Sequence, residues 1–275
     1  MSFLDKLTAT IARNNSRLCI GLDPTLDALP EGVERSPAGL LRFNREIIAA
    51  TSDLACAYKP NLAFYEALGA EGWRALEETV RLVPDGIPVI ADAKRADIGS
   101  TAAAYATAIF DALGCDACTV NPYLGFDAIE PFIARPGAFA FVLCRTSNPG
   151  ARDLQDLLVD GAPLYERVAR WVQGHKRPES CGLVVGVTDP DAARRVAASA
   201  PDLWLLAPGL GPQGGDLAGT ARSLGAAASR TLWNASRAIT GAGRDRDYAA
   251  KAREAARRLR DEVNEVESRE SRVVR

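Results

Sequence analysis

Short apolar runs recur along the chain at 17–22, 55–58, 87–91, 117–120, 139–144, 182–187, 203–207 and 230–233, and the stretches between them are long enough to hold a helix. Each run is nearly continuous in its apolar character, as expected of parallel strands covered on both faces. Eight such runs in strand–helix alternation predict a single (β/α)8 TIM barrel over residues 1–275, with a doubly wound open sheet as the other arrangement compatible with the pattern. Closure is favoured by the polar residues that follow nearly every run. These are Asp23, Lys59 with Asn61, Asp92 with Lys94, Asn121, Thr146 with Ser147, Thr188 with Asp189, and Asn234 with Arg237. In a barrel they converge on one rim.

Phe3, Leu4, Leu7 and Ile11 have helical spacing, which predicts a lead helix over about 2–13 packed across one end of the barrel. At the other end of the chain Ala252, Ala256, Leu259, Val263 and Val266 step by three and four through a highly charged segment. That segment is too short and Ala-rich for a coiled coil and reads as the last barrel helix with a solvated outer face, fraying over about 268–275. No internal repeat, low-complexity linker or break in composition marks a second domain.

With 275 residues, 47% of them apolar, the chain can bury a full core. No apolar stretch reaches the roughly 18 residues that cross a bilayer, and the charges in Met1–Leu7 leave no signal-peptide core, so a cytoplasmic protein without a membrane partner is expected. A net charge of −2 supplies no basic footprint for nucleic acid. A small anionic ligand would have to be held by local groups. Most of the six cysteines fall in or beside apolar runs and read as small buried hydrophobes. Cys115 and Cys118 have the spacing of a metal or redox pair, but no second pair follows, and the single histidine, His175, lies in a polar loop remote in sequence. No metal site and no cofactor are expected.

The densest chemistry is Asp92-Ala93-Lys94-Arg95-Ala96-Asp97, directly after the run 87–91. Strand side chains alternate, so Asp92 and Lys94 point the same way, while Asp97 lies where the backbone turns into a helix. Charges gathered this tightly at a strand end are costly to desolvate and point to an active site, a surface ion pair at the start of helix 98–110 being the plainer reading.

Gly209, Gly211 and Gly214 spell Gly-x-Gly-x-x-Gly after the seventh run. As a dinucleotide fingerprint the match fails: Pro212 interrupts the loop, and the next strand ends in Asn234 where an acidic residue is wanted. Barrel enzymes commonly bind a phosphate with the loops after strands seven and eight, and Arg237 adds a planar donor fork there.

These motifs resemble the orotidine 5′-phosphate decarboxylase family, in particular its longer bacterial branch. The resemblance rests on Gly21-Leu22-Asp23-Pro24, Lys59-Pro60-Asn61 with Phe64-Tyr65-Glu66, the run Asp92 to Thr101, Thr146-Ser147-Asn148-Pro149-Gly150, Ala207-Pro208-Gly209, Gln213, and Ser236-Arg237, in order along most of the chain. Ala238 stands where many relatives have glycine.

The resemblance implies decarboxylation of orotidine 5′-monophosphate to uridine 5′-monophosphate, without metal or cofactor. It implies that Lys59, Asp92, Lys94 and Asp97 form a charged array in which Lys94 protonates C6 of the pyrimidine. Asp23 and Lys59 would bind ribose hydroxyls, Ser147 would read the pyrimidine edge, Pro208 would line the pocket, Gln213 would bridge base and phosphate, and Arg237 would hold the phosphate. It further implies a homodimer, with Asp97 and Thr101 entering the partner's site.

Two other functions fit parts of the sequence. A metal-dependent sugar-phosphate decarboxylase or synthase on this fold shares the Asp-x-Lys-x-x-Asp run, but it wants a carboxylate after the second strand, where Lys59 would repel the ion. A non-catalytic pyrimidine-nucleotide sensor would keep fold and ligand, but has no need of the charged array.

Overall fold

The structure is a computed structural model that describes residues 1–175, 177–210 and 216–273, with side chains through Ser268. Its sheet strands are β1 (Leu18–Leu22), β2 (Ala57–Pro60), β3 (Ile90–Arg95), β4 (Ala117–Val120), β5 (Phe139–Arg145), β8 (Cys181–Val185), β9 (Trp204–Pro208) and β10 (Thr231–Ala235). Between β5 and β8 a small antiparallel hairpin, β6 (Leu158–Val159) and β7 (Ala162–Pro163), stands outside this sheet. The eight sheet strands pair in parallel in the order β2-β1-β10-β9-β8-β5-β4-β3. Single bridges Tyr58 to Val89 and Asn61 to Asp92 join the two end strands and close the barrel.

Several strands reach further toward the rim than the apolar runs suggest. β2 extends to Pro60, β3 to Arg95 and β10 to Ala235, because ladder pairing continues where the inward side chains have turned polar. The alternation is regular. Cys19, Ala57, Ile90, Ala117, Phe139, Phe141, Val184, Leu206 and Leu232 fill the barrel interior, whereas Leu18, Ile20, Leu22, Tyr58 and Trp233 pack outward under the helices. Counting on by two from the interior residues gives Lys59, Asp92, Thr119, Pro208 and Asn234. The site is therefore the upper, polar continuation of the barrel core.

The lower end is closed by α1 (Phe3–Asn14), capped by Ser2 and Asp5 in a reciprocal pair of hydrogen bonds. Phe3 and Leu7 of α1 enter the interior cluster, and the Phe3 ring lies 4.8 Å from that of Phe139. The last helix, Tyr248–Val273, runs past Ser268, where the sequence pattern suggests fraying. Glu267 holds it: its carboxylate accepts from Arg17 at 2.5 Å and from the indole of Trp233 at 3.1 Å, so the polar end of the helix is tied to the barrel floor.

Candidate active site

Lys59 comes up from inside the barrel and is 3% exposed, while Asp92 faces it across the β2–β3 seam. Lys59 Nζ donates to Asp92 Oδ2 at 2.6 Å, and Lys94 Nζ donates to Asp92 Oδ1 at 2.6 Å. One carboxylate thus holds two ammonium groups, one on each oxygen. Burial alone would raise the Asp92 carboxyl, but the charges and hydrogen bonds of Lys59 and Lys94 outweigh it and keep the group well below the usual carboxylate range. Burial likewise disfavours the Lys59 ammonium, and the negative charges of Asp92 and Asp23 more than reverse this, leaving it above the ordinary lysine value. Lys94 is the exposed member. Its side chain is 49% exposed at the mouth of the site, against 4% for Lys59.

The Lys94 backbone has φ +46°, a left-handed conformation in a residue with a long side chain. The ladder between β3 and β4 explains it: Ala91 pairs with Cys118 and Arg95 with Val120, so Asp92, Ala93 and Lys94 lie across from Thr119 alone. Thr119, buried, replaces the missing ladder bond. Its hydroxyl accepts the Lys94 backbone N–H at 2.9 Å and donates to Asp92 Oδ1 at 3.0 Å.

After β1, the strand paired with β2, Asp23 is fixed at both oxygens, Oδ1 by the backbone N–H of Asn61 at 3.0 Å and Oδ2 by the Ser236 hydroxyl at 2.7 Å. Gly21 makes this approach feasible, since a Cβ there would lie 1.8 Å from Ser236 Oγ. Asp23, Lys59, Asp92, Pro208, Gly209, Leu210, Asn234, Ser236 and Arg237 surround a cavity of about 150 Å³. It joins the inner end of the charged array to the glycine-rich loop and the exposed Arg237, which begins the short helix Arg237–Thr240. Ala238 continues that helix with a negative φ, so the position has no need of glycine.

Ser147 lies on the other side of the same rim, after β5. A Cβ on Gly186 would sit 2.9 Å from Ser147 Cβ, so this glycine lets the loop lie close. Gln155 grips the adjacent Thr146, accepting its N–H at 2.9 Å and donating to its hydroxyl at 2.9 Å, while Arg145 donates to the Thr146 carbonyl at 2.6 Å. Asp97 accepts only the N–H of Ile98, at 2.8 Å, and has no basic partner among the described residues. Thr101 is exposed two residues into helix Gly99–Ala106. Gln213 lies outside the described residues, as do Gly211 and Gly214.

Thr119, Ser236 and Asn234 are the polar neighbours to which the sequence reading gave no role. The signal for them is strand parity: each follows an interior apolar residue by a multiple of two. The cysteines are all buried and unpaired, with thiols pushed up by burial, Cys19 to about 12. His175 is exposed yet stacked flat on Phe126 at 3.5 Å. A larger space of about 1,010 Å³ opens beside β5, but its walls are mainly apolar, and its Arg167 and Arg170 already pair with Asp160 and Glu166.

Residues 16–253 match the model of the Orotidine 5′-phosphate decarboxylase / HUMPS family. A relative from Thermomicrobium roseum named orotidine 5′-phosphate decarboxylase is 51% identical over 97% of this chain and 96% of its own length. The solved structure of Leishmania donovani OMP decarboxylase is similar with a TM-score of 0.84 at 42% identity, covering 97% of this chain and 99% of that one. Leishmania donovani UMP synthase is similar with a TM-score of 0.88 at 45% identity, over 97% of this chain and 57% of that longer one.

Proposed function

The chain belongs to the orotidine 5′-phosphate decarboxylase / HUMPS family, and from this premise we propose how its own residues carry the reaction. The protein decarboxylates orotidine 5′-monophosphate to uridine 5′-monophosphate and CO2, the last step of de novo pyrimidine nucleotide synthesis. Breaking the bond from C6 to the carboxylate leaves an electron pair in the plane of the ring, outside the reach of its π system. That charge needs a cation fixed beside C6 before the bond breaks.

Lys94 is that cation. Its ammonium stabilises the developing carbanion and then gives C6 a proton, which solvent returns to the amine. The observation that carries this reading is the double pairing of Asp92, one ammonium on each oxygen at 2.6 Å. With both oxygens engaged by cations, Asp92 is poorly suited to hold a divalent ion, which speaks against metal-assisted sugar-phosphate chemistry. Asp23 and Lys59 bind ribose hydroxyls, Arg237 takes the phosphate beside the loop that begins at Pro208, and Gln213 reaches across base and phosphate. Ser147 reads the pyrimidine edge. Phosphate binding far from C6 then lowers the barrier by closing the site.

The active unit is a homodimer in which Asp97 and Thr101 enter the partner's site. Asp97 has no basic partner among the described residues, and exposed apolar side chains follow the neighbouring strands β3 and β4 on the same rim, Ile98 at 59% and Tyr123 at 79% exposure. Six free thiols suit a reducing compartment, so we place the enzyme in the cytoplasm.

The test is the ultraviolet loss of orotidine 5′-monophosphate in excess chelator, for the wild-type protein and for Lys94→Ala. Turnover should survive the chelator and collapse in the variant. Turnover abolished by the chelator, or retained in Lys94→Ala, would overturn the assignment.

A further inference from the structure

Asn234 lies inside the barrel on β10, between Leu232 of the apolar interior and Ser236 of the Asp23 pair. It is 5% exposed, yet its Oδ1 has no hydrogen-bond partner. Its ladder neighbours are Cys19 and Pro208, neither of which offers a strong side-chain donor. The nearby donors point elsewhere, Lys59 to Asp92 and Ser236 to Asp23, and neither donates to Asn234. Asn234 also forms part of the cavity wall with Asp23, Lys59 and Arg237. A buried acceptor that lacks an internal donor, on a residue lining a cavity, is suited to one that arrives with a ligand.

Resting on the nucleotide reading of this cavity, we infer that Asn234 is a substrate-binding residue whose amide oxygen accepts a hydrogen bond from a ribose hydroxyl. Other parts of a nucleotide fit less well. A 5′-phosphate dianion is an acceptor only and belongs on the Arg237 side, and the pyrimidine edge lies toward Ser147, on the other side of the rim. A ribose hydroxyl can accept from the Lys59 ammonium and donate to Asn234 Oδ1 at once. Asn234 thereby makes the pocket selective for ribonucleotides.

The experiment is calorimetric binding of uridine 5′-monophosphate and its 2′-deoxy and 3′-deoxy analogues to wild-type protein and Asn234→Ala. The variant should bind uridine 5′-monophosphate about tenfold more weakly, the loss expected of one neutral hydrogen bond. One deoxy analogue, lacking the hydroxyl in question, should bind both proteins equally. Should the alanine variant not fold, Asn234→Ser withdraws the oxygen from the cavity and runs the same cycle. An equal loss for all three ligands, or no loss for any, would overturn the role of Asn234 alone. Wild-type protein that binds none of the three would overturn the nucleotide reading beneath it.

Discussion

Thr119 holds Lys94 by its backbone: the threonine hydroxyl accepts the Lys94 N–H at 2.9 Å while donating to Asp92 Oδ1 at 3.0 Å. One buried side chain thereby fixes both the left-handed turn at φ +46° and the carboxylate that aims the ammonium. Thr119→Val keeps the shape and removes both bonds. It should lower kcat roughly tenfold with little change in KM, since misplacing a reacting group affects the chemical step more than binding. Thr119→Ser should restore most of the rate. Steady-state kinetics on folded variants checks this, and equal losses in the valine and serine variants would refute it.

The charged pair sets a pH window for stability. Asp92 is held well below its ordinary value of 3.8, and a group depressed on folding adds stability above its unfolded value and loses it as pH falls through the folded one. Lys59 is held above its ordinary 10.5, so its contribution is complete below that value and is lost as pH rises past it. From about pH 5 to about pH 10 both contributions stay on a plateau. The urea midpoint of wild-type protein should exceed that of Asp92→Asn by a constant margin over the neutral range, and the margin should shrink below about pH 4. A margin unchanged down to about pH 3 would contradict the depressed value.

The fold was legible because parallel strands covered on both faces stay apolar along their lengths, and the order of polar residues after them marked the polar rim of the barrel. Asp23, Lys59, Asp92, Pro208 and Arg237 do surround one cavity. What the apolar runs concealed was the upper third of several strands, because a residue such as Lys59 is polar in composition and interior in position. The extra residues in β3 were hidden for a related reason. A bulge is defined by its partner strand, and nothing local in Asp92-Ala93-Lys94 announces that Thr119 alone stands opposite. The hairpin Leu158–Pro163 escaped too, its strands being only two residues each.

Gly21 is predicted to be irreplaceable even by alanine. The added Cβ would lie 1.8 Å from Ser236 Oγ and 2.9 Å from Asp23 Oδ2, so the Ser236–Asp23 bond must open or β1 and β10 must separate. Overpacking of this kind costs about 1–3 kcal/mol. Thermal unfolding should report the loss in stability, and weaker binding of uridine 5′-monophosphate should accompany it. A variant with unchanged affinity would show that Asp23 does not need Ser236 to meet the ribose.

The proposed shared-site dimer can be tested by mixing subunits. If the partner's Asp97 completes the array around Lys94, then Lys94→Ala and Asp97→Ala homodimers are each inactive for opposite reasons, one lacking the proton donor and the other lacking the carboxylate beside it. In a mixed dimer one site collects both defects and the other collects none. Equal amounts of the two variants, unfolded together and refolded, form mixed dimers as half of the population, and each carries one intact site of two, so activity should return to about a quarter of the wild-type value. Mixing without refolding should return it only as fast as subunits exchange. The alternative geometry, with Asp97 acting in its own chain, places both defects in separate subunits that never share a site, and refolding would then return nothing. The present arrangement favours the first outcome: Asp97 Oδ1 is turned to the N–H of Ile98 at 2.8 Å and forms no ion pair within the described chain, while Lys94 is bound on one side only, by Asp92.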